Sequence, residues 1–115
     1  MRIYRIAQLE TGRRHGKTLP ETGYEYRLVR IYRAVNATVM AIKYMDYITL
    51  SLKFAKGHAD HMAVAEEDDQ VVLSAIVEAS KVAEASNPGE YFYIGKEDVT
   101  GNAIYNAEAF NYENL

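Results

Sequence analysis

The chain has 115 residues, 49 % of them hydrophobic and 25 % charged. That is one domain of ordinary globular composition, which excludes a disordered tail, a collagen-like repeat and a coiled coil. It has no cysteine, so a disulfide framework and a zinc–thiolate site are both excluded.

The formal net charge of −3 hides a strong polarity. Residues 1–35 carry eight basic side chains and three acidic ones, a sum of +5. Residues 36–115 carry five lysines and thirteen carboxylates, a sum of −8. All seven arginines precede residue 34. A basic N-terminal part of this kind meets an anion: a phosphate ligand, a nucleic acid or the protein's own acidic half. Arginine favours phosphate or carboxylate partners, because its planar fork engages two oxygens. No apolar run approaches the ~18 residues of a membrane span. The opening Met1-Arg2-Ile3-Tyr4-Arg5 has no apolar stretch of the signal-peptide type. The expectation is a cytoplasmic protein without a membrane partner.

In chain order, Arg2 to Ala7 is short and β-prone and predicts a strand. Residues 10–23 hold three glycines, a proline and four cations, counting His15 as one, and predict a long basic loop. Its Gly12-Arg13-Arg14-His15-Gly16-Lys17 run lacks the spacing and closure of a P-loop. A lid or target-binding loop and a plain surface loop both remain open. Tyr24 to Val35 predicts a strand with Tyr26, Leu28, Arg30 and Tyr32 on one face and Arg27, Val29, Ile31 and Arg33 on the other. With an arginine on each, neither reads as a plain core face. Ala37 to Met45 predicts a short helix with Asn36 as its N-cap.

Asp46 to Phe54 alternates Ile48, Leu50, Leu52 and Phe54 with polar residues and predicts a strand whose second face holds hydroxyls. Ala55 to Glu67 predicts a helix with Ala55, Ala59, Met62 and Ala63 on one side. Val71 to Val77 is β-branched and predicts a central strand. Glu78 to Ser86 predicts a short helix or turn, closed by Asn87-Pro88-Gly89. Strands are predicted at Glu90 to Ile94 and Asn102 to Asn106, with 107–115 a frayed tail. About six strands and two or three short helices make a single α+β domain over 1–115.

Three features carry chemistry. Glu90 follows a turn directly, which either holds a carboxylate in a cleft or guards a sheet edge. Thr49 and Ser51 are two residues apart, and their hydroxyls either bind a polar ligand or pair with a neighbouring strand. Arg33 ends an apolar strand, where it either clamps a diphosphate or rests half-exposed. His58 and His61 flank Asp60 on the predicted helix, but a metal site needs a further ligand facing the same way.

Taken in order, Tyr32-Arg33-Ala34-Val35, Tyr47-Ile48-Thr49-Leu50-Ser51 and Gly89-Glu90-Tyr91-Phe92-Tyr93 resemble the ADP-ribosyltransferases. Phe54-Ala55, followed by a helix with His58-Ala59, adds to the resemblance, which spans residues 30–106. Ala34 stands where the family usually has glycine, and Lys53 where polymerase-type members have tyrosine. Pro88 and Phe92 stand where arginine-modifying members have acidic residues. The resemblance implies two packed, mostly antiparallel sheets with NAD, a co-substrate, held in the cleft between them. It implies that Arg33 anchors a phosphate or ribose of NAD and that Thr49 and Ser51 shape the nicotinamide–ribose pocket. Glu90 would be catalytic, bonding a ribose hydroxyl and stabilising the oxocarbenium-like transition state. Tyr47 or Phe54 would stack on the nicotinamide, with core packing the favoured role for Phe54.

The implied activity moves ADP-ribose from NAD to a macromolecular acceptor, with protein favoured over nucleic acid. The alternative is a non-catalytic binding or inhibitor protein, of a kind common in bacteriophages, that docks on a larger protein. Nucleic-acid binding through the arginines is opposed by the net negative charge.

Overall fold

A computed structural model describes residues 27–109. The predicted strand at Arg2 to Ala7, the basic loop 10–23 and most of the C-terminal tail lie outside the described residues. Strand β1 (Leu28–Asn36) pairs antiparallel with β4 (Gln70–Glu78), and β4 pairs antiparallel with β8 (Asn102–Ala107). A second sheet runs β3 (Tyr47–Ile48), β6 (Tyr91–Tyr93), β5 (Val82–Glu84), again antiparallel. A two-stranded ribbon joins β2 (Ala41–Ile42) to β7 (Val99–Thr100). The two three-stranded sheets meet at one residue pair: Tyr32 and Thr49 exchange both backbone hydrogen bonds, each 2.9 Å. The strands therefore follow the spatial order β5-β6-β3-β1-β4-β8, tied at the Tyr32–Thr49 bridge.

Period-two burial explains why β4 is central. Val71, Leu73, Ala75 and Val77 pack with Val29, Ile31 and Val35 of β1 and with Ile42, Ile48, Val82, Tyr91 and Tyr93. On the opposite face Val72 packs with Ala107, Tyr32, Ala34 and Tyr105 beneath a helix. The β1 face of Val29, Ile31 and Val35 is thus a core face, contrary to the expectation, and Arg33 interrupts it near the strand's end.

Helix α1 (Leu52–Glu66) begins where the Ser51 hydroxyl accepts the Phe54 N–H at 3.1 Å, an N-cap bond. It ends at Glu67, whose left-handed φ of 55° lets its N–H reach the Val64 carbonyl. Ala55, Ala59 and Ala63 recur every fourth residue, so one stripe of small side chains meets the sheet. Their size sets the helix–sheet distance. Tyr105 braces the far side, donating to Asp60 Oδ1 at 2.7 Å under the Lys56 ammonium. Ala59→Leu is expected to cost about 1–3 kcal/mol by overpacking, read as a lower urea midpoint at unchanged slope.

Several expectations are corrected. No helix forms over Ala37 to Met45: the Asn36 carboxamide oxygen accepts both the Thr38 N–H and the Thr38 hydroxyl, closing a turn. The chain then extends into β2, with Ile42 in the core. The predicted strand Asp46 to Phe54 keeps only β3 and the Thr49 bridge, because Ser51 caps a helix that consumes its second half. Glu78 to Ser86 holds a single 3-10 turn, Ala79–Lys81, and then β5. Among the described residues there is one α-helix rather than two or three, and the architecture is α+β.

Candidate functional site

The Tyr32–Thr49 bridge leaves a cleft of about 600 Å³ lined from both sheets and from α1. That volume lies within the range of small-molecule pockets. Arg33, Tyr47, Thr49, Phe54 and Glu90 all line it. Ser51 does not: its hydroxyl is spent on the helix cap, and it faces a shallow depression on the other side of Phe54 and His58.

Glu90 is delivered by a turn. Its N–H donates to the Asn87 carbonyl at 3.1 Å, with Pro88 and Gly89 at the two central positions. Gly89 has φ of 84°, which a residue with a Cβ adopts only under strain. Proline fixes the first central residue, glycine permits the second, and the fourth is the carboxylate. Asn87 Nδ2 also donates to Glu90 Oε1 at 3.2 Å, so one oxygen is oriented and the side chain is half-buried at the cleft wall.

Arg33 is held by two contacts. One guanidinium nitrogen donates to the Tyr47 carbonyl at 2.7 Å. Nε lies 3.5 Å from Asp46 Oδ2, an ion pair without hydrogen-bond geometry, and Nε is buried without a hydrogen-bond acceptor. Asp46 is itself fixed, because the same carboxylate oxygen accepts the Lys43 N–H at 2.8 Å. Its N–H returns to the Lys43 carbonyl at 3.0 Å, in a turn where Met45 takes a left-handed φ of 72°. A five-donor fork is thus aimed by a neutral carbonyl and one carboxylate, with capacity left for an anion.

Thr49 is buried, and its hydroxyl oxygen accepts the Ser51 N–H at 3.1 Å. The hydroxyl hydrogen is left to donate. Tyr47 and Phe54 are both more than half exposed, so Phe54 is a surface ring rather than a core one. Tyr47 packs on Phe92 with centroids 4.6 Å apart, and Phe54 lies parallel to His58 at 6.4 Å. Two aromatic surfaces therefore stand at the cleft, each steadied by a second ring.

Two residues that bear on the cleft have no signal in the sequence. Asp46 carries no motif, and its role depends on the Met45 turn. Gln70 opens the central strand and lines the cleft at the end of α1; it is 3 % exposed. Glutamine is an ordinary strand-end residue, so nothing in the sequence singles it out.

The strand behind Glu90 is rigidly packed at its far end. The Tyr93 hydroxyl donates to the Glu97 carbonyl at 2.8 Å, and a Cβ on Gly95 would overlap the Tyr93 ring. Burial raises the Tyr93 pKa above its ordinary value, and the Glu97 and Asp98 carboxylates add to the rise. The folded protein thus binds this proton more tightly than the unfolded chain. That contribution to stability is complete below about pH 10 and is lost as pH rises through the folded-state value. Tyr93→Phe is expected to cost about 1 kcal/mol near neutral pH. It should also flatten the alkaline fall in stability, as measured by chemical denaturation at a series of pH values.

Compared with protein-family models, characterised proteins and solved structures, the chain matches none of them. No helix among the described residues is long and apolar enough to cross a membrane.

Proposed function

We propose that this chain is a small ADP-ribosyltransferase that moves ADP-ribose from NAD to a macromolecular acceptor. The observation that supports it is convergence. Arg33, Thr49 and Glu90 come from three separate segments, β1, the bridge after β3 and the turn before β6, and line one cleft. A division of labour follows from their chemistry. Arg33 clamps the diphosphate, Thr49 donates to a ribose or amide oxygen, and Tyr47 or Phe54 offers a face to the nicotinamide ring. Glu90 accepts a hydrogen bond from a ribose hydroxyl and faces the anomeric carbon.

In the reaction the bond from that carbon to the nicotinamide nitrogen breaks, and its electron pair leaves with neutral nicotinamide. Positive charge then develops on the ribose, and a fixed carboxylate stabilises it more than it stabilises the ground state. A lone pair on the acceptor forms the new bond, and its proton passes to solvent. The acidic balance after residue 36 favours a protein acceptor over a nucleic acid.

Release of nicotinamide from NAD, followed chromatographically with a bacterial lysate as the source of acceptor, tests this reading. Release above the lysate background supports it, and none from folded protein overturns it.

A docking protein is a second reading, favoured by the exposed apolar side chains Val39, Met40, Tyr44 and Met45 around β2. Met40→Asp would then release the partner, whereas an enzyme acting in the cleft would lose little turnover.

A further inference from the structure

We infer that Gln70 is a ligand-binding residue that receives the purine base of the dinucleotide at the α1 end of the cleft. This rests on the proposed use of NAD. Nε2 of Gln70 is buried and has no hydrogen-bond partner, although the residue lines the cleft. A buried amide donor left unpaired is costly, and a ligand acceptor removes that cost.

The position is fixed by the sheet. Gln70 opens β4 opposite Asn36, the last residue of β1, three residues beyond Arg33. Asn36 is not available to a ligand in the same way: its amide donates to Asp68 at 3.2 Å and its oxygen closes the Thr38 turn. Gln70 is therefore the donor at this end that needs an acceptor. The last turns of α1 add Met62, half-buried, and the exposed Glu66 to the lining of the same cleft.

That set repels phosphate, because a carboxylate stands beside a neutral donor. It suits a heteroaromatic base instead. The Met62 thioether offers a polarisable wall to a ring. Gln70 donates to a ring nitrogen, and Glu66 accepts from an exocyclic amine. Adenine presents that acceptor and that donor side by side on one edge. Gln70 lies opposite Asn36, three residues along β1 from Arg33, so a base held at Gln70 adjoins a diphosphate held at Arg33.

The test is binding of NAD, nicotinamide mononucleotide and adenosine monophosphate to the full chain, wild type beside Gln70→Leu and Gln70→Glu. Gln70→Glu keeps the side chain's size and removes the donor, and cooperative thermal unfolding establishes that each variant is folded. Losing this hydrogen bond should weaken NAD and adenosine monophosphate roughly tenfold in both variants, with nicotinamide mononucleotide unchanged. Equal weakening of all three ligands, or none, overturns the inference while leaving the proposed activity standing. Wild-type protein that binds adenosine monophosphate through Gln70 but never NAD overturns the proposed activity and keeps the base site. Wild type that binds neither overturns both.

Discussion

Glu90→Gln is expected to lower nicotinamide release by at least about 10²-fold, the scale on which one preorganised electrostatic contact acts in a transition state. Stability should be nearly unchanged. The glutamine oxygen can still accept from Asn87, so the Asn87–Glu90 turn keeps its side-chain bond. The backbone bond of Glu90 to Asn87 is untouched. In the proposed reaction the variant loses the negative charge assigned to the anomeric carbon, whose value rises only as positive charge develops there. The loss should therefore fall on kcat, with KM for NAD little altered. A variant with wild-type turnover would remove Glu90 from the chemistry.

Arg33→Lys has the second large expected effect, on KM rather than kcat. Lysine keeps the charge but replaces a planar fork with a point charge on a flexible stem. It loses the geometry by which the guanidinium donates to the Tyr47 carbonyl and lies against Asp46 while still facing the cleft. Hydrogen bonds to charged groups contribute about 1.5–3 kcal/mol each, so KM for NAD should rise roughly 10- to 100-fold. Asp46→Asn provides the control. It leaves Arg33 in place and still accepts the Lys43 N–H, but removes the charge paired with Nε. A smaller rise in KM is expected there, because Arg33 loses orientation rather than donors.

These residues differ in how visible they are before folding. The two longest strands can be read from sequence because β-branched residues alternate on β1 and fill both faces of β4. Glu90 is legible for the same local reason: Asn87-Pro88-Gly89 dictates a turn with a glycine at its left-handed position. Arg33 is legible as an arginine near a strand's end, and Thr49 as a hydroxyl on the polar face of a strand. The failures lie where local chemistry offers two outcomes. Asn36 and Ser51 are both good caps, yet Asn36 closes a turn and Ser51 starts a helix. The two-residue strands β2 and β7 exist because distant segments meet, Ala41 with Thr100 and Ile42 with Val99. Ser51 illustrates the cost to site assignment: read as part of a strand it shares a face with Thr49, but as an N-cap it turns away from the cleft. Asp46 and Gln70 gain meaning only from tertiary neighbours, and no spacing rule announces them.

The activity proposed for the cleft is transfer of ADP-ribose. Its most direct test is incubation of labelled NAD with a bacterial lysate, wild type beside Glu90→Gln, with both proteins shown to be folded by circular dichroism. ADP-ribose transfer should leave label on a discrete macromolecule with wild type and none with the variant. Absence of label together with absence of nicotinamide release would contradict it, and equal labelling by both proteins would contradict the role given to Glu90.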